Sequence, residues 1–444
     1  MRYEFPTGIT IDEVRQAVAN ANARFAKNVP LDGFPADPDP EFTPEEIAQG
    51  YRVSSPKFFI EADRGDHSIF NYIVAFEHSF PPPTTGDAAL DREYAILREC
   101  RGLTFGADGR IIARKYAKFF NLNEKPETQA NVIDWSQDHD ILEKLDGSMI
   151  TPFYAGDLED ITPEQIRWAT KMGLTDVAKP VDEWVAANPH YAAWAAHTMY
   201  ADYTPIFEWC SRKQRIVVDY PEDRLVLTAI RNNRTGEYLP REAMLAAERS
   251  GIEIVRALPG SVENLETFMQ EAHDLEGAEG YVIRFADGHM LKVKGAWYCQ
   301  IHKTKELLTF EKDVLSLILE DRLDDAKAFM DDTDRGRVEA FNEAFVKAIV
   351  ATAERLRSIA EEGARITGGD KKKFATEFVP SLTLAEHEST IIFRINSGKD
   401  AVEQIRQTLS KNVGTQPRVN GVRHLFGGLR WDDFMDPNAV SGED

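Results

Sequence analysis

The sequence contains few cysteines, no long apolar run and no excess of basic residues. Its three cysteines, Cys100, Cys210 and Cys299, are far apart and odd in number, which suits neither a metal site nor a disulfide framework. Such usage is typical of a reducing compartment. No apolar run approaches the roughly 18 residues of a membrane span, and the first residues lack the apolar segment of a signal peptide. We therefore expect a cytoplasmic protein without a membrane partner.

Basic residues are also outnumbered. The chain has 74 acidic residues against 52 lysines and arginines, and its formal net charge is −22. This charge opposes non-specific attraction to nucleic acid, but it does not decide what a local cleft binds. A chain that acts on phosphates can be acidic overall if its basic residues converge on one place. The positions of the lysines and arginines therefore matter more than their number.

The length of 444 residues exceeds what one core usually holds and indicates several domains. Residues 1–50 are rich in proline and acid, and they predict an N-terminal extension with a short helix over 11–25, an extended strap and no functional role. Residues 51–300 combine β-rich runs with turn signals. Residues 301–444 have long helical periodicity and predict a separate helical domain.

Within the β-rich region the local pattern makes specific predictions. Residues 160–200 are expected to be helical, with Trp168, Trp184 and Trp194 on apolar faces. The Asp287-Gly288 turn leads into a strand on which Lys292 and Lys294 share one face, because side chains alternate with a period of two. The other predicted strands are 57–60, 68–76, 99–105, 111–113, 205–210, 215–218 and 224–230.

The stretch 141–150 reads as a strand, a tight Asp146-Gly147 turn and a second strand, which together predict a β-hairpin. Lys144 lies beside that turn, at the mouth of a sheet. Such a lysine suits a nucleophile, because partial burial can lower the pKa of an amine from about 10.4 towards neutrality. The pattern Lys-x-Asp-Gly is weak by itself, and a surface lysine beside a turn is the alternative.

Several other charged residues interrupt apolar strands, where an unpaired charge is costly. Taken together they predict a cleft that needs positive charge and two carboxylates. Lysines and an arginine can hold a triphosphate, two carboxylates can hold Mg²⁺ at a phosphoryl centre, and a lysine kept neutral by cationic neighbours can attack an α-phosphorus. The residues are Arg101, Lys118, Lys144, Glu208, Glu279, Lys292 and Lys294.

Four of these segments resemble, in this order, the motifs of covalent nucleotidyltransferases, which include RNA ligases, DNA ligases and mRNA capping enzymes. They are Lys144-Leu145-Asp146-Gly147-Ser148, Phe207-Glu208, Glu279-Gly280-Tyr281-Val282 and Lys292-Val293-Lys294. Three further segments resemble the phage RNA ligase 1 family, which reseals cleaved tRNA. They are Glu99-Cys100-Arg101-Gly102, 118–124 and Thr235-Gly236-Glu237-Tyr238.

The resemblance implies an α+β fold, with an antiparallel-sheet nucleotidyltransferase domain over 51–300 and an all-helical C-terminal domain for RNA recognition over 301–444. It implies an ATP-dependent RNA ligase acting in three steps. Lys144 takes AMP from ATP, the AMP passes to an RNA 5′-phosphate, and a 3′-hydroxyl displaces it. ATP and Mg²⁺, or Mn²⁺, would be required. The RNA would have single-stranded ends or be a nicked tRNA anticodon loop, and the enzyme would be a cytoplasmic monomer, in the host if phage-encoded.

The resemblance also assigns roles to individual residues. Arg101, Lys118, Lys292 and Lys294 would contact the ATP phosphates, and Tyr72 would belong to the nucleotide site. Glu208 would touch the ribose, Glu279 would serve metal-assisted chemistry, and Lys171 would act in ligation, although Met172 interrupts the match around it. Asp324 and Asp325 resemble family aspartates that approach the metal, and a solvated acidic helix face is the alternative.

Two rival functions remain open. A capping guanylyltransferase or a DNA ligase usually carries a short-strand barrel, which the helical periodicity after Trp297 does not favour. A non-catalytic RNA-binding protein on a ligase scaffold would be expected to lack Lys144 or the paired lysines, and all of them are present.

Overall fold

The computed structural model describes residues 4–28, 58–73, 79–262 and 264–434. The chain divides into two units between Cys299 and Gln300. The predicted strap up to residue 50 and the end of the strand predicted over 68–76 lie outside the described residues.

The described strands all belong to the first unit. In chain order they are β1 (Phe59–Asp63), β2 (His67–Tyr72), β3 (Arg101–Gly106), β4 (Ile111–Ala113), β5 (Phe120–Asn121), β6 (His139–Lys144), β7 (Ser148–Phe153), β8 (Arg167–Ala169), β9 (Tyr203–Cys210), β10 (Arg224–Asn232), β11 (Ala257–Leu258), β12 (Gly280–Phe285) and β13 (Met290–Lys294).

These strands form three sheets, with orders β1-β2-β3-β4, β10-β9-β7-β8 and β11-β6-β12-β13-β5. Among the described pairs only β5 with β13 is parallel. The antiparallel character expected from the resemblance is therefore present. In β13 the apolar Leu291 and Val293 are buried, and Lys292 and Lys294 alternate with them on the opposite face.

Helices of the first unit flank the sheets. They are α1 (Ile11–Asn28), α2 (Ala88–Glu99), α3 (Lys179–Ala187), α4 (His190–Tyr200), α5 (Arg241–Glu248) and α6 (Leu265–His273), and α7 (Ala296–Thr309) runs across the division. Asp87 caps α2 by accepting from Ala89 N and Leu90 N. Because α2 ends at Glu99, the strand predicted over 99–105 begins two residues later, at Arg101.

The predicted hairpin around Asp146-Gly147 is wrong. Strand β6 pairs with β11 and β12, whereas β7 pairs with β8 and β9, so residues 145–147 cross from one sheet to another. The reason is that the Asp146 side chain does not serve a local turn. It is 3% exposed, and its carboxylate accepts hydrogen bonds from Val217 N, Val218 N and Tyr298 OH at 2.6–2.7 Å.

Two other local predictions are wrong for related reasons. Residues 215–218 form no strand, and the amides of Val217 and Val218 bond to Asp146 instead of to a neighbouring strand. The region 160–200 is not helical throughout, since Trp168 lies on β8, which pairs with β7. Trp168 is 1% exposed and packs edge-on against Phe207, so it belongs to the core as expected.

The described part of the second unit consists of helices and turns. After α7 come α8 (Glu311–Leu319), α9 (Leu323–Lys327), α10 (Asp332–Ile366), α11 (Lys371–Lys373), α12 (Glu388–Asn396), α13 (Ala401–Ser410) and α14 (Gln416–Val422). The long helix α10 buries Val338, Phe341, Phe345 and Ile349, which recur every three or four residues on one face. Within the described ranges, none of the helices combines the length and the apolar character needed to cross a membrane.

Candidate active site

Lys144 ends β6, at the point where the chain leaves one sheet for the other. The backbone that follows it is fixed by the buried Asp146 carboxylate and by Asp146 N, which donates to Tyr220 OH at 2.9 Å. Gly147 allows the crossing, because a Cβ at this position would lie 2.3 Å from Trp209 O. Lys144 is therefore held at a defined place by contacts on both sides of the crossing.

Strand register brings Lys144, Glu279 and Lys294 together. Gly280, directly after Glu279, lies between Lys144 on β6 and Lys294 on β13. Glu279 is 3% exposed; its Oε2 lies 2.7 Å from Lys144 Nζ, and its Oε1 lies 3.1 Å from Lys294 Nζ. Gly280 has φ +142°, and a Cβ there would lie 2.1 Å from Val293 O. A side chain at residue 280 would therefore disturb the approach of these strands.

Lys292 lies on the same face as Lys294, and its ammonium stands over the Phe119 ring at 4.7 Å from the centroid. The pKa of Lys292 lies well below its usual value, chiefly because of burial, with further contributions from Arg101, Lys144, Lys118 and Lys294. Sequence reasoning expected such cationic crowding at Lys144. In the structure Lys144 is one of the cations around Lys292, and it also pairs with the Glu279 carboxylate.

Three cationic side chains, Arg101, Lys118 and Lys171, lie near Tyr72 at the edge of this cluster. Lys118 Nζ lies 3.5 Å from the Tyr72 hydroxyl, and Lys118 Nζ and Lys171 Nζ stand 4.7 Å and 5.4 Å from its ring centroid. Burial by itself raises the pKa of Tyr72, but Arg101, Lys118 and Lys171 outweigh it, and the net pKa is lowered. The phenol oxygen thus sits in a strongly positive environment.

Lys171 is fixed through its backbone. Its carbonyl accepts a hydrogen bond from Asn71 Nδ2 at 2.8 Å, and a Cβ at Gly102 would lie 2.8 Å from the same oxygen. Because Asn71 precedes Tyr72 and Gly102 follows Arg101, three predicted site residues share one packed region. The inserted Met172 does not remove Lys171 from it.

Glu208 belongs to the second sheet and lies beside Gly147, at the crossing that follows Lys144. It lies on β9 opposite Met149 of β7, and its Cγ would lie 3.3 Å from a Cβ on Gly147. Arg101 Nη1 lies 3.6 Å from Met149 Sδ, so Arg101 extends towards the same sheet. The two carboxylates predicted for the site therefore approach it from different sheets.

Asp324 and Asp325 belong to the second unit, on α9. The Asp324 side chain is 94% exposed and lies 3.4 Å from Lys327 Nζ. Among the residues that the structure describes, no group of three or more His, Cys, Asp or Glu side chains could hold a metal ion. Their metal role stays a prediction.

Sequence reasoning missed four residues at this site: Lys115, Phe119, Asp146 and Tyr298. Phe119 could have been found, because it follows Lys118 directly. Asp146 was read as a turn residue within the Lys144 motif and not as a buried anchor, and Tyr298 holds it from a position 152 residues away. Lys115 gave no signal, since it follows Arg114 after a strand and reads as surface; it is 3% exposed, and its Nζ donates to Gly102 O at 3.1 Å.

The cluster contains more cationic than anionic side chains, which suits a ligand with several negative charges, such as a nucleotide polyphosphate. A lysine at a strand end among these groups is also a candidate nucleophile. The fold and the site together define an antiparallel-sheet protein with a largely cationic side-chain cluster around Lys144. The contributing side chains are Arg101, Lys118, Lys144, Lys171, Lys292, Lys294, Glu208 and Glu279.

Residues 99–298 match the family model described as RNA ligase. The resemblance predicted from the motifs is confirmed over this part of the chain. A relative from Thermovibrio ammonificans, named "Putative RNA ligase", is 32% identical over 267 residues, which cover 57% of this chain and 65% of the relative. The match thus spans less than two thirds of that relative.

Similar solved structures also include RNA ligases. An archaeal ATP-dependent RNA ligase has 13% identity and a TM-score of 0.36, with 69% of this chain and 78% of the other chain covered. A mutant Naegleria gruberi RNA ligase solved with ATP and Mn has 17% identity and a TM-score of 0.30, with 38% and 52% covered. This chain therefore spans about half the length of the Naegleria protein.

Proposed function

We propose that the protein is an ATP-dependent RNA ligase that joins 5′-phosphate and 3′-hydroxyl RNA ends through a covalent lysyl-AMP intermediate on Lys144. The observation that carries the proposal is the Lys144–Glu279–Lys294 arrangement, inside a cationic cluster and within the region matched by the RNA ligase family model. In the first step the Lys144 nitrogen bonds to the α-phosphorus of ATP, and the bond to pyrophosphate breaks.

The Lys144 amine must lose a proton before it can attack. Glu279 Oε2, at 2.7 Å, is the carboxylate oxygen to which that proton can move. Lys294 bonds the other oxygen and keeps the carboxylate oriented towards the amine. Glu279 thus both positions Lys144 and accepts its proton.

Four cations of the cluster, Lys294 among them, hold the triphosphate. Lys292 and Lys294 face it from β13, and Arg101 and Lys118 face it from the region around Tyr72. Burial chiefly lowers the pKa of Lys292, and the neighbouring cations lower it further; an anion at this site would offset that repulsion, which favours binding of ATP. Glu208, on the opposite sheet, contacts the ribose.

A divalent cation, Mg²⁺ or Mn²⁺, fits this site because such ions bind one or two carboxylates together with substrate phosphates. Glu279 and Glu208 are the carboxylates of the first unit that would hold it, and the metal role of Asp324 and Asp325 rests on the family resemblance alone. When bound, the ion would neutralise charge on the phosphates.

The second and third steps use RNA. The AMP passes from Lys144 to a 5′-phosphate, and the 3′-hydroxyl then displaces it. Lys171 acts in this ligation, and the helical unit recognises the RNA, which is single-stranded or a nicked tRNA anticodon loop. The enzyme works in RNA repair as a cytoplasmic monomer.

Incubation with labelled ATP and a divalent cation tests the proposal. An adduct that is released by acid but not by alkali is expected from a phosphoramidate. An adduct formed only from GTP would favour the capping guanylyltransferase instead, and no adduct with either nucleotide would favour the non-catalytic RNA-binding scaffold. Joining of a 5′-phosphorylated RNA to a 3′-hydroxyl end completes the test.

A further inference from the structure

The segment 114–119, which carries Lys118, lacks strand pairing. Backbone polar groups in such a segment still need partners, and here they are supplied from distant parts of the first unit. The bonds are Arg114 N to Thr204 Oγ1 at 2.9 Å, Arg231 Nη1 to Lys115 O, Ala117 N to Tyr238 OH at 3.0 Å, and Lys118 N to Arg98 O at 2.7 Å. The position of Lys118 therefore depends on the side chains that hold this segment.

Two of those side chains, Arg231 and Tyr238, pack against Phe5. The Arg231 guanidinium stands over both the Phe5 ring and the Tyr238 ring at 4.9 Å from each centroid. The Phe5 and Tyr238 rings meet edge to face, with 5.4 Å between their centroids. Phe5 is 9% exposed, so it is part of the packed interior.

Pro6, the residue after Phe5, is also held by a buried side chain. Pro6 O accepts a hydrogen bond from Arg114 Nη2 at 2.7 Å. Arg114 and Arg231 share the carboxylate of Glu99, at 3.0 Å and 2.7 Å, and all three side chains are at most 1% exposed. The start of the described chain therefore joins a buried ion cluster whose carboxylate, Glu99, lies two residues before Arg101.

Phe5 also contacts the turn that leads into β13, the strand of Lys292 and Lys294. A Cβ placed on Gly288 would lie 2.8 Å from Phe5 Cε2, so the ring lies against the turn between β12 and β13. That turn leads into the strand of Lys292 and Lys294. One aromatic ring thus contacts both the support of the Lys118 segment and the turn that introduces the two lysines.

We propose that Phe5 is a positioning residue of the nucleotide site, which fixes Lys118 through Arg231 and Tyr238 and fixes Lys292 and Lys294 through the Gly288 turn. Sequence reasoning assigned no role to residues 1–50, and this assignment replaces that view for Phe5. The catalytic consequence rests on the ligase function proposed above. The positional consequence does not, because it concerns only contacts within the first unit.

Phe5→Ala tests the proposal in the full chain. We expect the ATP concentration for half-maximal adduct formation to rise about tenfold, because small displacements of substrate-holding groups are costly, with a smaller change in rate at saturating ATP. Amide hydrogen exchange should become faster in peptides covering 114–119 and 286–291. Phe5→Leu keeps apolar bulk and should give intermediate values; it also serves as the test if Phe5→Ala does not fold.

Val185→Ala is the matched control. Val185 is 5% exposed on α3 and belongs to a core cluster that does not contain Phe5, so its truncation destabilises the first unit without removing a contact of Phe5. The proposal requires that this variant alter neither the ATP dependence nor exchange in the two segments. It is overturned if Phe5→Ala and Phe5→Leu leave exchange there unchanged, or if Val185→Ala produces the same effects.

The ligase function and the positioning role of Phe5 can be contradicted independently of each other. A wild-type protein that forms no nucleotide adduct would contradict the ligase function. The exchange comparison would still decide whether Phe5 positions the two segments.

Discussion

Lys144 Nζ lies 2.7 Å from Glu279 Oε2, on the neighbouring strand. The candidate nucleophile is therefore stored as one half of an ion pair, and its partner is almost fully buried. A protonated amine has no lone pair with which to attack phosphorus. The Lys144 proton must therefore move to Glu279 before the bond forms. Lys294, 3.1 Å from the other oxygen, and a divalent cation are the groups that can compete for that carboxylate.

Lys144→Ala and Lys144→Arg should both abolish the covalent nucleotide adduct. Arginine keeps a positive charge, but its guanidinium stays protonated in proteins and cannot act as the nucleophile. Gel analysis after incubation with labelled ATP measures the adduct. Lys213→Ala, which changes an exposed lysine of the same unit, should leave it at full strength. A full-strength adduct in either Lys144 variant would refute the nucleophile assignment.

Glu279→Gln should slow adduct formation about a hundredfold or more at saturating ATP, a magnitude typical of lost electrostatic stabilisation in a site. The substitution keeps the shape of the side chain while removing the charge shared by Lys144 and Lys294. Single-turnover kinetics measures the rate. Glu237→Gln, at an exposed turn, is the control. Equal rates for the wild type and Glu279→Gln would remove this carboxylate from the chemistry.

Lys115 should make stability depend on pH. Burial, with a contribution from Arg101, lowers its pKa to about 7. The unfolded chain keeps this group near about 10.4, so between pH 7 and 10 the unfolded state binds more protons, and Lys115 makes the free energy of unfolding rise with pH. Below pH 7 both states bind the proton, and the cost of the buried charge is fully present.

Lys115→Met removes this titration and isolates its contribution. The stability of the wild type relative to the variant should rise by about 1.4 kcal/mol per pH unit between pH 8 and 10 and level off below the folded pKa. Urea unfolding at several pH values measures the difference. Lys213→Met, at an exposed site, should show no such slope. Parallel pH profiles for the wild type and Lys115→Met would contradict the prediction.

Glu99→Gln should destabilise the first unit by about 3–5 kcal/mol, because it leaves two buried guanidinium groups without their anion. Burial by itself raises the pKa of Glu99, but the opposing effect of Arg114 and Arg231 is larger. The net pKa is therefore lowered, and the carboxylate is ionised in the folded state. Urea denaturation measures the loss. Glu343→Gln breaks an exposed pair with Lys347 on α10 and should leave the midpoint unchanged. A Glu99→Gln midpoint equal to the wild type would argue against the buried ion cluster.

Asp324→Asn should increase the Mg²⁺ concentration needed for half-maximal RNA joining if Asp324 approaches the metal. Mg²⁺ titrations of ligation compare the variant with the wild type and with Asp332→Asn, an exposed neighbour. An unchanged Mg²⁺ dependence would leave Asp324 as a surface residue paired with Lys327.

The residues of the site were predictable wherever they follow the period of a strand. Lys292 and Lys294 alternate with buried apolar neighbours, and Glu208 interrupts an apolar run, so both patterns are visible in the sequence. Lys144 was found because it lies between the apolar Ile141-Leu142 and the turn residues Asp146-Gly147. These signals are local, and the family resemblance adds their order along the chain.

What could not be predicted depends on contacts between distant residues. Asp146-Gly147 has the composition of a hairpin turn, yet Asp146 is bound by amides 71 and 72 residues away. The same contact occupies two amides within 215–218, which forms no strand. Lys115 and Phe5 likewise have no local pattern that distinguishes them from surface residues. Their burial arises only when β3, the segment 114–119 and the start of the chain meet.

The crossing at residues 145–147 places Lys144 and Glu208 on separate sheets joined by a short connection. A nucleotide gripped by Lys292 and Lys294 at its phosphates and by Glu208 at its sugar would span both sheets. A bound nucleotide would then add a second connection between the two sheets, and its binding should raise the free energy of unfolding of both together.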